Sequence, residues 1–209
     1  MFYSILSEYE NPDQAIGEIV ESTHFSCTLS SYSLGESPRI GEFLVIRNPD
    51  TIIVGVSVGS QIIPQSPVAV VEPLRKRVED LEALYVDLSE RFRDLTKAIL
   101  VGYLDEGEFI QGLPLHKPKI HTLVFSMKSE HIKYFLREKD SISARYLEIL
   151  ATYLSQEFPL IVDAHFKYLK AFLSKDELRI LALNAISRIH SVLSDREFLR
   201  VGRVLKEVI

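Results

Sequence analysis

Cysteine is almost missing from this 209-residue chain: Cys27 stands alone, so no disulfide can form within it. A single thiol suits a reducing compartment, and the expectation is a cytoplasmic protein. Glycine and proline are sparse as well, nine of each, which excludes a low-complexity chain. No apolar run reaches the roughly 18 residues that would cross a bilayer, so no membrane partner is expected. The opening residues, Met1-Phe2-Tyr3-Ser4-Ile5-Leu6-Ser7-Glu8, lack the basic start of a secretory signal. Positive charge is also short. With 24 Lys and Arg against 29 Asp and Glu the net charge is −5, which gives no overall basic field for tight non-specific nucleic-acid binding.

What is present is ordinary globular material. Hydrophobic residues make up 46% of the chain and charged residues 25%, which argues against wholesale disorder. A chain of this length hides roughly 70% of its unfolded surface, as one large domain or two small ones. The first half reads as strands. Ala15-Ile16-Gly17-Glu18-Ile19-Val20 and Cys27-Thr28-Leu29-Ser30-Ser31-Tyr32 are short and β-prone. Gly41-Glu42-Phe43-Leu44-Val45-Ile46-Arg47 and Thr51-Ile52-Ile53-Val54-Gly55-Val56-Ser57-Val58-Gly59 flank Asn48-Pro49-Asp50, a strong turn signal, and predict a hairpin. Pro64 and Pro67 should interrupt pairing before the apolar run Val68-Ala69-Val70-Val71.

From residue 73 to about 97 the period changes. Leu74, Val78, Leu81, Leu84, Tyr85, Leu88, Phe92 and Leu95 recur in steps of three and four, which predicts an amphipathic helix, whole or broken near Asp87. Strands then return at Ile99-Leu100-Val101-Gly102-Tyr103-Leu104, at Phe109-Ile110 and at His121-Thr122-Leu123-Val124-Phe125. After about Ser129 the pattern is helical throughout, with helices near 141–156 and 159–173. Ser174-Lys175-Asp176-Glu177 and Ser194-Asp195-Arg196-Glu197 are capping-box signatures that open two more. The predicted fold class is α+β: a small antiparallel β-barrel over residues 1–128 with a helical excursion at about 73–97, then a helical domain over 129–209.

Ile16-Gly17-Glu18-Ile19 opens the first strand and Ile40-Gly41-Glu42-Phe43-Leu44-Val45 a later one. Leu84-Tyr85-Val86-Asp87-Leu88 lies in the excursion, and the chain returns through Val101-Gly102-Tyr103-Leu104 with Pro114 and Pro118 behind it. Over residues 14–126 this order resembles the HAS barrel, which heads HerA-type DNA-translocating ATPases and is shared with rotary ATP synthase subunits. The resemblance implies a barrel that does no chemistry and helps arrange subunits in a ring, which in HerA-type proteins faces a nuclease. It also implies a following motor domain with a P-loop, G-x-x-x-x-G-K-[ST]. No glycine in this sequence is followed by lysine, so ATP hydrolysis is not carried over.

Candidate chemistry is thin. Gly55-Val56-Ser57-Val58-Gly59 matches the nucleophile elbow G-x-S-x-G, but β-branched neighbours and the absence of a following helix favour a barrel strand. No Asp or Glu is followed two positions later by lysine, the tripeptide of many metal-dependent nucleases. Asp105, Glu106 and Glu108 cluster round Gly107 at an apparent hairpin tip, where solvated acids are ordinary. His116 and His121 are split by a proline-bearing segment and suggest no third ligand. Cys27, with His24 near it, reads as a small core thiol. No catalytic, cofactor or metal residues are therefore expected.

Two basic groups stand out for nucleic-acid contact: Arg75, Lys76 and Arg77 in a triplet, and Arg196, Arg200 and Arg203 along one side of the last helix. The same helix is apolar round much of its circumference, which offers Phe198, Val201 and Leu205 as an interface. The sequence thus predicts a non-enzymatic assembly or adaptor protein with itself, a nuclease or a translocase subunit as partner. The competing expectation is a module that binds nucleic acid directly.

Overall fold

The computed structural model describes residues 2–66, 88–138 and 141–207. The chain opens with a short helix, α1 (Phe2–Ser7), and a helical turn, Pro12–Gln14. Four strands follow: β1 (Gly17–Ser22), β2 (Ser26–Ser31), β3 (Phe43–Asn48) and β4 (Thr51–Pro64). After α2 (Leu88–Arg91) come β5 (Phe92–Asp105), β6 (Glu108–Gln111) and β7 (Leu123–Ser126). The remainder is α3 (Ser129–Leu136), a two-residue pair β8 (Arg137–Glu138) and β9 (Ser141–Ile142), then α4 (Arg145–Leu154), α5 (Phe158–Leu169), α6 (Lys175–Ile189) and α7 (Asp195–Lys206).

The strands run β2-β1-β7-β3-β4-β5, all antiparallel, and β5 returns to β2 with Ser26 opposite Ile99 and Ser30 opposite Leu95. The result is a closed six-stranded barrel followed by helices. Closure leaves no open edge around the ring. Register shifts at Val54/Gly55 and Ser57/Gly59 in β4 bend the long β4–β5 ribbon, as bulges do at barrel corners. Beyond its pairing with β2, the far half of β5 stays on β4 and takes β6 on its other side, Gly102 opposite Gln111.

Alternation sorts the side chains into two cores. Ile19, Cys27, Leu29, Leu44, Ile46, Ile53, Ala98, Leu100 and Val124 fill the barrel. Phe43, Val45, Ile52, Val54 and Val56 point to the other face, where they join Phe135, Tyr146, Phe166, Leu181 and Val201 from the helices. Strand β3 and the first half of β4, Ile52 to Ser57, are buried on both faces, which is why they read as unbroken apolar runs rather than alternating ones.

Two sequence expectations change here. Residues 92–97 are not helical: β5 begins at Phe92, and its inward face carries Asp94 and Thr96. Pro64 does not interrupt pairing but ends β4 opposite Phe92. The expected strand at 68–71 and the body of the excursion up to residue 87 lie outside the described residues. The region after Ser129 is helical apart from the β8–β9 pair.

Candidate functional site

The polar groups at the seam between barrel and helices are spent on holding the two together. Gln111, the last residue of β6, is buried; its amide donates to the carbonyls of Phe135 at 2.9 Å and Ser143 at 3.3 Å, and accepts from the Tyr146 N–H at 3.1 Å. One strand side chain therefore serves both the end of α3 and the start of α4, whose own N-cap Ala144 has no side-chain acceptor. Deeper in, His165 of α5 is fully buried. Tyr146 Oη donates to its Nε2 at 2.7 Å, and its Nδ1–H donates to the Gly41 carbonyl. Burial pushes its pKa down to about 4, against the opposing pull of the Gly41 bond, so the ring is neutral.

At the amino terminus, Glu8, Glu130 and His131 bring ligand atoms within 4.8 Å of one another. Glu8 is already paired with Lys128 Nζ at 2.7 Å, which holds its carboxyl below the usual range. Tyr9 Oη accepts from the Lys128 N–H and donates to His131 Nδ1 at 2.7 Å. These side chains form a satisfied network that ties α1 to α3. Nothing in the spacing of residues 8 and 130 signalled it.

The sequence-derived candidates fall as follows. Ser57 lies inside β4, fully buried opposite Ala98, with no partner for its Oγ among the described residues and no sharp turn to present it. Asp105, Glu106 and Glu108 are exposed at the β5–β6 turn. Cys27 faces the filled lumen, and burial raises its pKa to about 12. His121 pairs with Glu18 at 3.2 Å, apart from the cleft that His116 lines. Arg75, Lys76 and Arg77 lie outside the described residues. Arg196, Arg200 and Arg203 are all exposed on α7. The interface expectation needs correction: Val201 and Leu205 are fully buried in this chain's own core and Phe198 packs on His190, with ring centroids 4.9 Å apart. The inward side of α7 is spent on folding.

Apolar surface left outside gathers elsewhere. Phe25, in the β1–β2 turn, stacks on Tyr153 of α4 with centroids 4.9 Å apart, yet the two rings are 44% and 39% exposed. Leu113 flanks the same groove as Tyr153 and is 39% exposed. Beyond it in the 112–122 loop, Leu115 and Ile120 are exposed at 78% and 50%. Beside these residues the β1–β2 turn, the β3–β4 turn and the 116–120 segment converge on a half-open cleft of about 650 Å³. No protein-family model matches the chain, and no curated protein matches it.

Proposed function

We propose that this chain is a non-catalytic assembly module that associates first with further copies of itself, through the loop end of the barrel and α4. The observation that carries the reading is the Phe25–Tyr153 pair: two large rings held against each other while both stay substantially in water. Aromatic residues with a polar surround are the enriched constituents of interface centres. Leu113, Leu115 and Ile120 extend the apolar surface around them. The closed barrel with a filled lumen is what a HAS-barrel module would need, and it supports that reading, in which the module serves a HerA-type DNA-processing assembly beside a nuclease or translocase. Cross-linking of mixed light and isotopically labelled copies tests the proposal. Links between copies at Lys117 or Lys119, which flank the patch, support it; links confined to single copies contradict it.

A second reading has its own observation. Arg196, Arg200 and Arg203 share an exposed face of α7, and none of them makes an ion pair among the described residues. Such a stripe suits the phosphates of a nucleic acid, although cations in a last helical turn also offset the helix dipole. Reversing all three charges to Glu should abolish DNA retention at about 50 mM salt, and no retention of the wild-type chain there removes the reading.

A further inference from the structure

The cleft at the barrel's loop end has features that self-association does not use. Its walls come from three separate segments: Ser22 and His24, then Asn48 to Thr51, then His116 to Ile120. Lys117 and Lys119 line it with the two histidines, against one acid, Asp50, among its described walls. Behind the β3–β4 turn, Arg47 donates to the carbonyls of Asn48 and Pro49 and fixes the turn, its charge paired with Glu10 at 3.1 Å.

Asn48 gives the cleft a built donor. The residue is 6% exposed, and its Oδ1 accepts from the Lys119 N–H at 3.3 Å and from Thr122 Oγ1 at 3.4 Å. Those bonds fix which way the amide faces, because an acceptor must sit where the backbone N–H points. Its Nδ2 then has no hydrogen-bond partner among the described residues, in a side chain that lines the cleft. That donor is not sealed from solvent, so water in the cleft meets it until an acceptor of a ligand takes its place. Lysines and an unpaired N–H donor lining one space favour an oxygen-rich anion, and the volume is that of a small-molecule site.

We infer that this cleft binds a phosphate group, with Asn48 Nδ2 as the neutral donor on its wall and Lys117 and Lys119 as the charges that hold it. The phosphate belongs either to a free monoester of nucleotide size or to a nucleic-acid backbone, and the chemistry at the protein is the same. The inference shares the 116–120 segment with the proposed assembly surface but uses neither Phe25 nor Tyr153, so Phe25→Asp/Tyr153→Asp should lose association and keep phosphate binding.

The test is a titration of the ¹⁵N-labelled full chain, followed by amide chemical shifts. The probes are inorganic phosphate, adenosine monophosphate and a short single-stranded oligonucleotide, with sodium chloride at matched ionic strength as control. The expected result is saturable shifts at residues 22–24, 48–51 and 116–120 at about 10 mM phosphate or below, absent with chloride. Lys117→Glu/Lys119→Glu, both at exposed positions, should weaken binding at least about tenfold, whereas Arg200→Glu on α7 should leave it unchanged. A response to inorganic phosphate and adenosine monophosphate assigns a small-molecule site; a response to the oligonucleotide alone that the double variant removes assigns a backbone site. Shifts reproduced by chloride, no saturation, or binding that survives the double variant would overturn the inference.

Discussion

His165 shows how far one residue's setting governs the stability of this molecule. Its ring is enclosed by Phe43, Tyr146 and Tyr168, and both nitrogens are occupied. Protonating it would place a second proton on Nε2, where Tyr146 Oη already donates. The folded value of about 4 lies below the ordinary 6.5, so the unfolded chain binds more protons between those values. Stability should therefore be complete above about pH 6.5 and fall as pH drops towards 4, by roughly 3 kcal/mol from this residue. Denaturant midpoints measured across that range check it, and His165→Gln should flatten the slope. Gly41, on the other side of the same bond, has φ of +84°, and a Cβ there would lie 2.5 Å from the His165 Cα. Backbone cannot yield as a side-chain tip does. Gly41→Ala should lower unfolding stability by about 2 kcal/mol or more, read from chemical denaturation.

Among the elements, those built on local signals were legible in the sequence. The β3–β4 hairpin turns at Pro49-Asp50, and the Ser174 and Ser194 capping boxes open α6 and α7 with both reciprocal bonds made. Ser194→Ala should cost about 1 kcal/mol, a shift visible in thermal melts. The start of β5 was not legible, for a physical reason. Its inward face carries Asp94 and Thr96, so apolar alternation is lost and Phe92 and Leu95 continue the helical spacing before them. Gln111 was equally silent, because its three backbone partners lie 24, 32 and 35 residues away in sequence. Gln111→Leu keeps the volume and leaves those groups unpaired, and should destabilise by about 2–4 kcal/mol in urea unfolding.

At the scale of the whole molecule, barrel and helices share one apolar core that runs from Phe43 and Val54 to Leu181 and Leu205. The sequence conveyed the α+β class and the order of strands and helices, since these follow from periodicity. It could not convey which side of α7 faces inward. The apolar residues there were numerous enough to suggest a surplus, but Val201 and Leu205 are consumed by the fold. The surface that does remain apolar comes from three distant segments, Phe25, Leu113 and Tyr153, which only the folded chain brings together. Self-association through that patch is most directly tested by light scattering after size-exclusion chromatography, on the wild-type chain beside Phe25→Asp/Tyr153→Asp. At tens of micromolar, where an interface of about 7 kcal/mol associates, the wild type should elute at a multiple of the chain mass and the variant as a folded single chain. A wild type that elutes as a single chain, or a variant that associates as the wild type does, would contradict the account.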